Sequence, residues 1–368
     1  MTTDQKDTAT NRHHPVLQAT GTHGNFRPHL GSMKTQYFER NFLDLIEKVT
    51  NGTRVEINTT GTSLYFQPGM LMGGSINHEC STERSIGYYL EPLLIISPFM
   101  KEPLNAKLTG VTNDQYDFSP DLLKSTMLPV LKRFVGTDEG LSIRVTRRGP
   151  APDGGGEVIV NCPCRQKLRP LQLTEVGKVK RIRGIAWGCR VAPNICNRMI
   201  DSARGILNKF IPDVYIYSDH AKGRKSGSSP GFGMALVAET NNEIFYGAEL
   251  ISEPKGSDKG PTVPEDLGEN CAKCLVDEIY RGGCVDSSSQ ALTCVLLALG
   301  EQNVSKVCTG PLSPYSIGML RHIRDFFQVI FKFDKLKTDE DCDLKTGGDK
   351  LLLTCVGVGF TNLSKATL

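Results

Sequence analysis

Apolar side chains recur at helical spacing early in the chain. In FERNFLDLIEKV they fall at Phe38, Phe42, Leu45, Ile46 and Val49. Asn51-Gly52 follows and reads as a helix stop. RVEINTTGTSLYFQPG then alternates on either side of Thr60-Gly61, which predicts a hairpin. A second helix is expected over 85–96, and NAKLTGVTN reads as a strand and turn. Ser119-Pro120-Asp121 opens a third helix that should run to Phe134, with Pro120 in its first turn. LSIRVTRRG and EVIVNCP are strands around the turn PDGGG. The helix–strand unit repeats in pattern, though not in identity. It indicates a mixed α/β (α+β) protein.

Residues 184–282 have a pattern of their own. RGIAWGCRVA and DVYIYSDH read as strands around an amphipathic helix, NICNRMIDSARGILNKF. AKGRKSGSSPGFG is a basic Gly/Ser-rich stretch, expected as a flexible loop. MALVAETNNEIFYGAELIS is a hairpin turning at Asn241-Asn242, and PEDLGENCAKCLVDEIYRGG is a helix. This block predicts a separate small α/β domain. After it, helix–strand alternation resumes to the end of the chain. Residues 1–32 lack periodicity and are expected to be a disordered tail.

Composition narrows the class. With 368 residues, 39% of them hydrophobic, the chain can bury enough surface to fold without covalent staples. The twelve cysteines show no framework spacing and no apolar leader precedes them, so thiols in a reducing compartment are expected. No apolar run approaches the ~18 residues of a membrane span. Net charge is only +3, yet residues 162–230 carry 14 Lys/Arg against 4 Asp/Glu, leaving −7 for the remainder. That asymmetry points to an anionic partner, either nucleic acid or an acidic protein surface.

The sharpest basic element is Lys178, Lys180, Arg181 and Arg183, alternating with Val179 and Ile182. Cations lined up along one side of a strand would neutralise phosphates. Two other readings stay open: a solvated surface strand, or a clamp pairing with carboxylates of the large domain. Arg147 and Arg148 are further anion-binding candidates, and Lys222, Arg224 and Lys225 form a second basic element. Gly154-Gly155-Gly156 is either a tight hairpin or an anion nest, without the Lys-Ser/Thr ending of a P-loop.

Catalytic and metal signals are sparse. Cys271-x-x-Cys274 has zinc spacing, but no second ligand pair stands at the needed distance and the pair sits in a helical pattern. His13, His14, His23 and His29 fall in the expected tail, and His78, His220 and His322 join no recognisable constellation. No nucleophile elbow or HExxH is present. Glu265-Asp266 stand at a helix start, where a dipole role suffices. No catalytic residue, cofactor or metal is assigned from these patterns.

Several segments together carry a resemblance. GTSLYFQPGMLMGG, LTGVTNDQYDFSPDLL, RRGPAPDGGGEV, KVKRIRG, SSPGFGMALVAE, EIYRGGCVDSSSQ and LSPYSIGMLRHIRDFF resemble the RNA 3′-terminal phosphate cyclase family, over about residues 34–365 and most closely its cyclase-like branch. The resemblance implies a large domain of three tandem βαβαββ units, at 33–183 and 283–368. It also implies a smaller domain, at 184–282, inserted before the last unit. True cyclases carry an adenylylated histidine in a Ser-x-His segment, and here Leu312-Ser313-Pro314-Tyr315 puts Tyr315 in its place. The family's VDxHLADQL helix appears as Val285-Asp286-Ser287-Ser288-Ser289-Gln290, again without histidine. Gly24-Asn25-Phe26-Arg27 resembles the opening strand, but the next strand and its Arg/Gly-rich segment are missing before Phe38, so the first unit should be incomplete.

Functionally, the resemblance implies a non-catalytic factor of the nucleus and nucleolus that works in the small-subunit processome and supports early pre-rRNA cleavages. Implied partners are a large ribosome-biogenesis GTPase, pre-rRNA and the small nucleolar ribonucleoprotein of the processome. Arg321, Arg324 and Asp325 are candidates for the partner surface. Two alternatives are a pre-rRNA endonuclease, for which the same three residues would serve, and a residual cyclase, which Tyr315 opposes.

Overall fold

The computed structural model describes residues 25–26, 36–254, 256–257, 260–336 and 347–364. The expected tail at 1–32 lies outside them apart from Asn25 and Phe26, as do Cys342 and the four tail histidines.

The first unit contains β1 (Asn25–Phe26), α1 (Tyr37–Val49), β2 (Thr50–Asn51), β3 (Arg54–Ile57), β4 (Leu64–Gln67) and β5 (Met70–Leu71). Helix α1 ends at Val49, and Asn51 already pairs as a strand with Met70. The β3–β4 hairpin turns where alternation placed it, and β1 pairs antiparallel with β4 to give a three-stranded sheet.

The second unit is complete: β6 (Gly73–Glu79), α2 (Ile86–Ile96), β7 (Glu102–Gly110), α3 (Pro120–Ser125), α4 (Met127–Val135), β8 (Ser142–Arg147) and β9 (Gly156–Cys162). Its sheet runs β6-β7-β9-β8, with β6 and β7 parallel and the other pairs antiparallel. The helix expected over 119–134 is two helices. Pro129 lacks the N–H that would bond Ser125 and its ring crowds that carbonyl, so the ladder breaks at Thr126. Ser119 caps α3 by accepting from the Leu122 N–H at 3.2 Å.

The third unit opens with β10 (Gln172–Leu173) and is then interrupted. The interruption comprises β11 (Val179–Cys189), α5 (Asn194–Leu207), β12 (Val214–Ala221), β13 (Gly231–Thr240), β14 (Phe245–Ile251) and α6 (Pro264–Arg281). The unit resumes with α7 (Gln290–Leu299), β15 (Val304–Thr309), α8 (Pro314–Phe327), β16 (Lys332–Leu336) and β17 (Lys350–Val356). Its sheet order β10-β15-β17-β16 repeats that of the second unit, with β10 parallel to β15. The insertion therefore lies inside the third unit, after its first strand, rather than before the unit. Its first strand also crosses the boundary expected at 183/184. Residues 179–183 share one eleven-residue strand with Gly184 to Cys189, so they belong to the inserted lobe.

Two cores follow from this layout. In the large lobe α2, α4, α7 and α8 pack with the sheets of the second and third units, and all ten residues of α7 are buried. In the inserted lobe, α5 and α6 cover one face of the sheet β12-β11-β13-β14 through Ile182, Ile216, Leu236, Met199 and Leu275. The other face turns toward the large lobe.

Candidate functional site

Two places carry chemistry worth building up: the start of α8, and the junction between the lobes.

Helix α8 begins with Ser313 as N-cap, its Oγ accepting from the Ser316 N–H at 3.1 Å, and Pro314 in the first turn. The preceding loop is held by Gln290 on α7. Its Oε1 accepts from the Ser313 N–H and the Ser316 hydroxyl, both at 3.0 Å, and its Nε2 donates to the Pro311 carbonyl at 3.2 Å. So the VDSSSQ segment orients the segment that bears Tyr315. The Tyr315 hydroxyl donates to Glu91 Oε1 at 3.1 Å. Glu91 is 3% exposed, in the middle of the apolar helix α2. A phenol bonded to a buried carboxylate crosses from the third unit to the second at this point. The neighbouring Asp286 is buried, and burial together with the Glu278 charge pushes its carboxyl up to about 7.

Farther along α8, Arg321, Arg324 and Asp325 are exposed. Arg324 bonds its neighbour Asp325 at 3.0 Å, and apolar Phe326, Phe327 and Ile330 are exposed just beyond. Among the described residues no group of three His, Cys, Asp or Glu side chains could hold a metal ion. Eleven cysteines are described, none of them in a disulfide; ten are buried, Cys271 among them, and only Cys274 of these is exposed.

At the junction the basic candidates separate. Arg148, directly after β8, is 4% exposed. Its guanidinium bonds Asp121 on α3 at 2.6 Å and Asp219 on β12 at 3.0 Å, and lies 5.2 Å over the Trp187 ring. Burial works against its charge, but the two carboxylates outweigh it and hold the pKa above the ordinary arginine value. Arg148 is thus the clamp between lobes and is not available to an external anion. Arg147 is half-buried, and its Nε has no hydrogen-bond partner among the described residues.

The stretch 222–230 is tied down rather than flexible. Arg148 N–H donates to the Lys225 carbonyl, and Gly227 N–H donates to the Arg148 carbonyl at 2.6 Å. Ser228 N–H bonds the Gly154 carbonyl at 2.9 Å. This explains the triglycine: it is the β8–β9 hairpin turn, and it also receives the 226–228 backbone. A side chain on Gly227 would collide with the Gly154 carbonyl.

Lys180 and Arg181 do not form a free row. A bulge opposite Thr240 and Glu239 sets both beside Glu239, at 2.6 Å from its two oxygens. Burial opposes the Glu239 charge, but the two cations hold its carboxyl below the usual range. Arg183 grips Asp213 with both terminal nitrogens, at 2.8 and 3.1 Å. These carboxylates belong to the inserted lobe itself, so the pairs brace its sheet and do not clamp it to the large domain. Lys178 is exposed at the strand's start.

A family model described as RNA 3′-terminal phosphate cyclase matches residues 35–333. The chain belongs to the RNA 3′-terminal phosphate cyclase family. It is 59% identical over 328 residues to the RNA 3′-terminal phosphate cyclase-like protein of Mus musculus, covering 89% of this chain and 87% of that one. The human protein of the same description is 58% identical over the same span. At 42% identity over 332 residues, again 89% and 87% of the two chains, stands the rRNA processing protein rcl1 of Schizosaccharomyces pombe. The first unit of the chain differs from the other two. The sheet order 1-2-4-3 seen in the other two is reduced to β1-β4-β3.

Sequence reasoning missed Glu91, Gln290 and the roles of Arg148 and Asp219. Glu91 had a signal: it is the sole charge in IGYYLEPLLII. Asp219 had none, because only the fold brings β12 beside the end of β8.

Proposed function

We propose that this chain is a non-catalytic ribosome-biogenesis factor that acts in rRNA processing toward the small ribosomal subunit. The observation that carries the reading is the Tyr315–Glu91 contact. Where cyclases of this family would present a nucleophilic histidine, a phenol is directed into a buried carboxylate. Imidazole offers a neutral lone pair near pH 7, whereas a protonated phenol does not. The resemblance to a fission-yeast protein described by rRNA processing supports the same direction.

In this reading the chain works in the nucleolus, within the small-subunit processome, as a binding component. Its protein surface is the end of α8, where Arg321, Arg324 and Asp325 adjoin exposed Phe326, Phe327 and Ile330. Charged and apolar groups side by side suit a protein partner, here a large GTPase of ribosome assembly. Replacing the native gene by a depletable copy tests the reading. Precursors of the small-subunit rRNA should accumulate on depletion, and Tyr315→Phe should restore processing. Normal precursor levels on depletion would refute it.

A further inference from the structure

We propose that the open half of the inserted lobe's sheet is a seat for single-stranded RNA, with bases stacked on Tyr215 and Tyr217. The inference deepens the reading above by naming how such a factor holds RNA.

Helices α5 and α6 leave one face of the inserted lobe's sheet uncovered. Its lower half closes on the large lobe: Trp187 meets Arg148, Glu249 accepts from the Ser119 N–H at 2.9 Å, and Gly247 abuts Leu122 and Thr126. The upper half stays open. Arg183, Ile185, Tyr217 and Phe245 face Lys124 and Pro129 across a groove of about 350 Å³. A second groove of about 450 Å³ shares Lys124, Pro129, Glu239 and Phe245 with the first and leads on to Arg133 and Arg169.

Tyr215 and Tyr217 stand on β12, an edge strand, on either side of buried Ile216. They are 56% and 50% exposed, with ring centroids 5.7 Å apart. They lie in register with Arg183 and Ile185, on the open face. Neither hydroxyl has a hydrogen-bond partner among the described residues. Two large aromatic rings held in water on a rigid strand add little to folding. They do provide what unpaired bases need. The two rings are inclined at 57° to each other rather than stacked together, so each can present a face to a separate unpaired base.

The cations fit the phosphates. Lys124 and Arg169 are exposed, with no ion-pair partner among the described residues. Lys180 and Arg181 share one carboxylate, Glu239, which lines the groove together with Tyr217, so one positive charge is in surplus at that carboxylate. Aromatic platforms flanked by cations bind single strands with little sequence preference, whereas a duplex hides its base faces.

The test is fluorescence anisotropy of a labelled uridine 12-mer with the purified full chain. Wild type should bind, and a duplex of the same length should bind more weakly. Tyr217→Ala should lower affinity about tenfold, and the Tyr215→Ala/Tyr217→Ala pair more, with the melting temperature unchanged. Lys124→Gln with Arg169→Gln should reduce the log–log salt slope by about 0.7 for each phosphate no longer neutralised. Photocrosslinking of the wild-type complex supplies a readout independent of any variant, and the adducts should map to Tyr215 or Tyr217. Absence of binding, unchanged affinity in the double tyrosine variant, or crosslinks confined to other elements would each overturn the proposal. None of these results would touch the processing role, which depletion tests separately.

Discussion

Arg148 and Asp219 meet at 3.0 Å across the junction of the two lobes, one from the end of β8 and the other from β12. Asp121 of α3 takes a second amino group of the same guanidinium at 2.6 Å. A single buried cation thus satisfies a carboxylate from each lobe. Arg148→Leu would leave Asp121, 8% exposed, without its partner. Removing one member of a buried pair costs about 3–5 kcal/mol. Asp219, whose side chain is 50% exposed, should matter far less, and Asp219→Asn should cost under about 1 kcal/mol. Urea denaturation of the two variants checks the ordering. Equal losses would mean that the clamp is not seated on α3.

The pairing at Glu239 gives a second expectation. Lys180→Gln with Arg181→Gln leaves a carboxylate that is 9% exposed without its two bonded cations. Both cations are about 40% exposed, so solvent screening limits the loss to about 1–2 kcal/mol. Glu239→Gln added to that background should restore most of the melting temperature. A double variant that melts like wild type would show that these pairs do not brace the sheet.

Asp286 makes stability depend on pH. Its carboxyl is raised from 3.8 to about 7, first by burial and then by Glu278, against the opposing bonds from Ser288 and Ser289. Between those values the folded protein keeps a proton that the unfolded chain has released. The stabilisation is complete below about pH 4 and is lost as pH rises through 7. Asp286→Asn lacks this titration. Its stability relative to wild type should therefore climb between pH 4 and 8, by up to ~4 kcal/mol. Denaturation curves taken across that range decide it, and a constant difference would contradict the raised value.

Tyr315→Phe removes the hydroxyl that donates to Glu91. A buried acceptor that loses a donor costs about 1–3 kcal/mol. Thermal unfolding should show that loss while the fold, read by circular dichroism, is unchanged. No loss would mean that the Tyr315–Glu91 bond is incidental.

Much of the framework was legible in the chain because it rests on local periodicity. Helical spacing at Phe38, Phe42 and Leu45 and alternation around Thr60-Gly61 each produced the expected element. The family resemblance supplied the repeated unit and drew attention to Tyr315. What escaped the sequence were relations made only by long-range contact. The insertion point became visible once β10 was seen paired with β15, across more than a hundred intervening residues. Arg148 reads in sequence as half of an exposed dibasic pair, and only the docking of β12 and α3 turns it into a buried clamp. The cations at 180, 181 and 183 looked free because their carboxylates, Glu239 and Asp213, lie on other strands and turns.

The central claim is that a cyclase-family fold here serves without cyclase chemistry. The most direct test incubates the purified full chain with labelled ATP and an RNA ending in a 3′-phosphate. The claim predicts no covalent adenylate on the protein and no cyclic phosphate on the RNA. A labelled adduct that survives denaturation, or cyclised RNA ends above background, would contradict it.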